Sequence, residues 1–127
     1  MYFYLEASEV NLQEPASLMI LLDYIPKLKD KLIILATFLG EKDSIKVLKE
    51  QYRDVTDILY NVLDNWISAG ERNVGGVLVK PTWEYLLNVL RKPVIDKGDV
   101  ADEIKRRLEG HSQSSKKAFF SIQVVLL

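Results

Sequence analysis

The chain is 127 residues long, 48 % apolar and 28 % charged, with 17 basic and 18 acidic side chains and a net charge of −1. That length accommodates one domain with a sizeable core, and near-neutrality argues against nucleic acid as the main partner, since phosphate binding calls for a basic excess. With no cysteine, disulfides, thiol nucleophiles and thiolate metal ligands are excluded together.

The opening, MYFYLEASEV, has an early Glu6 and no basic start, so it does not read as a secretory signal. Apolar runs such as Leu18 to Leu22 and Leu32 to Leu35 fall far short of the ~20 residues a membrane span needs, and the cytoplasm is the expected compartment. Met1 to Leu5 is aromatic and β-favouring, and a polar stretch then leads to Pro15, so residues 1–16 read as an N-terminal extension or linker. Ser17 is placed to cap a first helix, LMILLDYI, which Pro26 interrupts. A residue before proline is steered away from the helical region, which predicts a kink or a two-part helix at Ile25. The second part, KLKDKLIILATFLG, sets Leu28, Leu32, Leu35 and Leu39 on one stripe, and Gly40 supplies a left-handed stop.

Asp43 is the expected cap of the next helix, with Ile45, Leu48 and Tyr52 inward and Lys46, Lys49 and Glu50 outward. Tyr52-Arg53-Asp54 turns the chain, with a single short helical turn as one way of doing so. Asp54 and Asp57 form an acidic variant of the capping box. Behind them Ile58, Leu59, Val62, Leu63 and Trp66 make a broad core-facing stripe that ends at Gly70. Residues 71–81, ERNVGGVLVKP, read as a loop made flexible by Gly75-Gly76. Its Val77, Leu78 and Val79 need a packing place, as a flap over the core or as a docking element, with the flap favoured. Thr82 caps a helix whose inward face is Trp83, Leu86, Leu87 and Leu90, and which Pro93 stops. A last helix begins near Asp99, with acids in its first turn and Lys105, Arg106 and Arg107 later, an order that complements the helix dipole. Val100, Ile104 and Leu108 are its expected buried side and Gly110 its end. The tail, residues 111–127, is linker-like and then runs into the uncharged β-prone AFFSIQVVLL.

The expected core is therefore Leu32, Leu35, Leu39, Leu48, Leu59, Leu63, Trp66, Trp83, Leu86, Leu87, Leu90, Ile104 and Leu108. The two tryptophans fit interface anchoring less well than burial, because each sits on an apolar helical stripe. No residues assemble into recognisable chemistry. His111 is the sole histidine and stands beside a Ser-rich stretch, neighbouring acids are explained by capping, and no phosphate-cradling glycine motif is present. Neither catalysis, a cofactor, a metal nor a small-molecule substrate is expected.

The order of KLKDKLIILATFLG, the Leu48 helix, LYNVLDNW, PTWEYLLNVL and GDVADEIKRRL resembles the death domain family over residues 17–110. The Leu39-Gly40 stop, the Leu-x-x-Trp of Leu63 to Trp66, the Thr82-Trp83 opening with Leu86-Leu87, and the Val100, Ala101, Ile104 pattern carry the likeness. Three features depart from it. No Trp stands near Leu32, the loop between Trp66 and Trp83 is long, and the two ends match nothing in the family. The resemblance implies an all-α, six-helix antiparallel Greek-key bundle with a kinked first helix and non-family extensions at both ends. It further implies a cytoplasmic, non-enzymatic adaptor that assembles homotypically with other death domains, in apoptotic or innate-immune signalling. The candidate interaction residues are Asp43, Lys46, Lys49, Glu50, Arg53, Asp54, Asp57, Glu71, Arg72, Asp96, Lys97, Asp99, Arg106 and Arg107. Charge runs of this kind are often only a solvated face. A helical scaffold or regulatory bundle without death-domain partners is one rival reading. A small helical DNA binder is a weaker one, because Asp96 to Glu109 carries five acidic residues against four basic.

Overall fold

The computed structural model describes residues 11–110. The expectations for Met1 to Leu5, His111 and the AFFSIQVVLL run lie outside them. Leu12–Ala101 forms one compact unit, and Asp102–Gly110 lies outside it.

The chain is mainly helical. Its first helix comes in pieces: α1 (Leu18–Leu21), α2 (Ile25–Leu28) and α3 (Leu32–Phe38), joined by 3-10 turns at Leu22–Tyr24 and Lys29–Lys31. Pro26 does cause a break, but Ile25 is helical (φ −52°, ψ −45°) and the departure falls on Tyr24 (φ −105°, ψ −7°). At the second position of α2 the proline's missing N–H lies among donors that have no intrahelical acceptor anyway. After α3, Gly40 takes φ +77° and closes the helix as its position required.

Then come α4 (Lys42–Gln51) and α5 (Val55–Ala69). The cap of α4 is Glu41, so the helix starts before Asp43, which lies in its first turn. Between α4 and α5 the chain bends without a helical turn, Tyr52 being extended. Asp54 caps α5 by accepting from Thr56 N at 2.8 Å. α5 is the hub of the unit, packing against α1, α2, α3 and α4. Its Ile58, Leu59, Val62, Leu63 and Trp66 are buried, each worth about 1.5–3 kcal/mol of apolar transfer.

The stretch expected as a loop contains a two-stranded antiparallel hairpin, β1 (Arg72–Val74) and β2 (Val77–Val79), so the chain is not purely α. Arg72 pairs with Val79, Asn73 with Leu78 and Val74 with Val77. Gly75 (φ +60°) and Gly76 (φ +87°) make the two-residue turn, in the double positive-φ conformation that matches strand twist. Asn73 Oδ1 accepts from Gly76 N at 2.8 Å and fixes it.

Thr82 caps α6 (Trp83–Leu90), accepting from Tyr85 N. Residues 12–16 run along the start of this helix: Ala16 N donates to Pro81 O, while Trp83 N and Glu84 N donate to Glu14 O and Leu12 O. They are a packed part of the unit rather than a free linker. Trp66 and Tyr85 join α5 to α6, their ring centroids 6.3 Å apart. Tyr85 Oη donates across to Phe38 O at the end of α3, and burial raises the Tyr85 pKa.

A last helix, α7, covers residues 98–110 and runs through Gly110, the expected stop. Asp96, at φ +54°, turns the chain into it; a short polar side chain is among the few that tolerate this left-handed region. Among the expected core residues Leu108 is only half-buried, while the other twelve are buried.

Candidate protein-interaction surface

α4 sorts its side chains by helical period. Ile45 and Leu48 are buried. Lys42, Lys46 and Lys49, spaced i, i+4, i+7, form one exposed stripe, and Asp43, Val47 and Glu50, with the same spacing, form another. One face of the helix is therefore cationic and the neighbouring one anionic with an apolar centre. Val47, 54 % exposed, is that centre.

Each stripe borders a different hollow. On the cationic side a groove is lined by Lys29, Asp30, Lys31, Leu32, Ile33, Ile34, Lys49 and Val55. Ile33 and Val55 are exposed at its edge. Asp30 is neutralised by Lys97, whose Nζ lies 3.0 Å from Oδ1. The hydrogen bond and the charge of Lys97 hold the Asp30 carboxyl below its ordinary pKa, and the net charge around the groove stays positive. On the anionic side a hollow is lined by Asp43, Ser44, Val47, Leu48, Gln51, Asn61 and Asn65.

The corner between α3 and α4 fixes the hairpin. Glu41 is buried, 4 % exposed, at the N-terminus of α4, where the helix dipole favours a carboxylate. Ser44 Oγ donates to Glu41 Oε2 at 2.7 Å. Arg72 Nη1 lies 2.9 Å from Glu41 Oε1 but directs its hydrogen bond to Gly40 O at 2.8 Å. Oε1 is thus balanced by proximity of charge and has no aligned donor. The approach is close: a β-carbon on Gly40 would stand 3.0 Å from Val74 Cγ2 and 3.1 Å from Arg72 Cδ.

The anchored hairpin does not lie down over the core. Val77 and Leu78 are 61 % and 67 % exposed, and Val79 is half-buried. Beside them a hollow is lined by Gln13, Glu71, Leu78, Val79, Lys80, Thr82, Glu84, Tyr85 and Asn88.

The candidate residues thus separate. Asp43, Lys46, Lys49 and Glu50 share α4, with Arg53, Asp54 and Asp57 exposed on the bend and first turn that follow; Asp54 is also committed to its cap. Arg72 and Lys97 are half-buried and engaged in the ion pairs above, which gives them structural work. Glu71, Asp96 and Asp99 are exposed. Arg106 and Arg107 are exposed on the Asp102–Gly110 portion of α7. Sequence reasoning missed Glu41, Ile33, Val47 and the hairpin. A Gly-Gly pair flanked by RNV and VLV is itself a hairpin signal.

No group of three His, Asp or Glu side chains among the described residues is placed to hold a metal ion, and no helix among them is long and apolar enough to cross a membrane. Comparison with protein-family models, curated proteins and solved structures finds no match to this chain.

Proposed function

We propose that this protein is a protein–protein interaction module of the death-domain type that assembles with further copies of itself or with other death domains in cytoplasmic signalling. The observation that carries the reading is the division of α4 into a cationic stripe, Lys42, Lys46 and Lys49, beside an anionic one, Asp43 and Glu50 around Val47. Two unlike patches on one domain can each engage the complementary patch on a neighbour, and such heterologous contacts propagate rather than close. Many modest contacts then sum when copies are brought together.

The fold assigned with this function is the six-helix antiparallel Greek-key bundle, with its third helix reduced to the bend at Tyr52–Asp54. The broken first helix, the Leu39-Gly40 stop, and Trp66 and Trp83 buried at their expected places support it.

Light scattering on the full chain tests the function. Mass rises with concentration, and Lys46→Glu or Asp43→Lys alone weakens association by about tenfold, the equivalent of ~1.4 kcal/mol. Carrying both reversals in one chain exchanges the two signs and restores most of the association. A chain that stays monomeric at every concentration, or a double variant as weak as the singles combined, rejects the reading in favour of a scaffold without such partners.

A further inference from the structure

Among the described residues, the hairpin and the cationic groove are two unpartnered features of opposite character. Val77 and Leu78 project into solvent, with the exposed carboxylates Glu71 and Glu84 lining the hollow next to Leu78. The groove offers apolar Ile33, Ile34 and Val55 with Lys29, Lys31 and Lys49 around them. Apolar tip meets apolar floor, and acids meet lysines. Lys80 and Arg72 are like charges on the hairpin side, and Arg72 is engaged by Glu41.

In this structure the hairpin does not occupy the groove of its own molecule, since Val77 and Leu78 are exposed. Its base is held by Arg72 to Gly40 and Glu41, at the C-terminal end of α3, whereas Lys31, Leu32 and Ile33 mark the other end. α3 has 7 residues, which separates the two ends by roughly 10 Å at the helical rise. The clamp also makes the projection rigid. A two-stranded hairpin alone is marginal in water, and one whose base is tied to a buried carboxylate loses less conformational freedom on docking.

We propose that the Val77–Leu78 tip of one copy inserts into the Ile33–Val55 groove of a second copy, forming a head-to-tail contact that shares only Lys49 with the α4 stripes. The inference rests on the self-assembly read above and specifies an additional surface that carries it. A tip and a groove at different places on the same chain leave one of each free in every dimer, so the contact extends into an open chain of molecules. The tip residues are the apolar anchors and the lysine–carboxylate pairs are the rim, which sets register and on-rate more than strength.

The test uses full-length Leu78→Asp and Ile33→Asp, both at exposed positions, with circular dichroism melting to verify that each folds as the parent does. Sedimentation velocity of the parent shows a concentration-dependent series of oligomers. Each variant alone weakens this association by at least about tenfold. Mixed together, they associate more tightly than either variant does alone, because the intact groove of the first accepts the intact tip of the second. A parent that self-associates while both variants do so equally well overturns this contact and leaves the α4 reading standing. A parent that never self-associates overturns both. Should Leu78→Asp not fold, Val77→Ser with Leu78→Ser, which keeps the turn and removes the apolar tip, takes its place, and the same outcomes apply.

Discussion

The Glu41–Arg72 pair yields the sharpest stability prediction. Replacing Arg72 by Met keeps the length of the side chain and removes its charge. Glu41, 4 % exposed, is then left with Ser44 Oγ as its partner and no cation. Breaking a fully buried pair from one side costs about 3–5 kcal/mol. Arg72 is 25 % exposed, so water screens part of that, and the loss of its bond to Gly40 O adds back about 1 kcal/mol. A destabilisation of ~2–3 kcal/mol is expected from these opposing corrections. Glu41→Gln, which stays able to accept from Ser44 and carries no charge, should cost less, about 1 kcal/mol. The double variant should fall well short of the sum, because the second substitution removes the very charge that the first one stranded. Urea unfolding of the four proteins, followed by circular dichroism, closes the cycle. Additive effects, or an Arg72→Met cost below about 0.5 kcal/mol, would refute the claim that the hairpin is tied to a buried carboxylate.

Three further outcomes follow from the packing. Trp66→Ala should destabilise by about 3–5 kcal/mol, enough to unfold much of the population at room temperature, seen as loss of the cooperative melt. Gly40→Ala, which forces a side chain into φ +77° and against Val74 and Arg72, should cost at least about 1–2 kcal/mol by the same assay. Tyr85 carries a raised pKa through burial, so its contribution is complete below the unfolded value near 10.0 and is lost as pH climbs through the folded one. Tyr85→Phe should cost about 1 kcal/mol at neutral pH and show a shallower alkaline decline than the parent. Equal alkaline slopes in the two proteins would show that the phenol does not stay protonated in the folded state.

What the sequence reveals depends on how far apart the cause and its effect lie along the chain. Asp54, Thr82 and Gly40 act on neighbours within a turn and are legible for that reason, whereas Ser17 makes no side-chain capping bond and Asp43 falls inside its helix rather than at the cap. The apolar stripes of α5 and α6 are legible for the same reason, since helical period decides which side faces inward. Pro26 marked the break but not its position, because a proline is equally at ease one residue inside a new helix. Ion pairs were the least legible. Glu41 and Arg72 meet only because the hairpin brings β1 back to the α3–α4 corner, and Lys97 reaches Asp30 across the fold. Nothing local distinguishes these cations from the solvent-facing lysines of α4, so the sequence groups Arg72 and Lys97 with them as candidates for recognition. The hairpin is hidden because Gly75-Gly76 reads equally well as slack chain, whereas two consecutive positive φ angles are what a tight two-residue turn requires.

The ionic-strength dependence of self-association, measured by sedimentation equilibrium on the intact chain, decides whether the α4 stripes drive recognition. Opposed α4 stripes predict an association constant that declines steadily as salt shortens the screening length from about 10 Å toward 3 Å. An association unmoved or strengthened by salt would place the driving force in apolar burial and contradict the charge-divided helix as the recognition element.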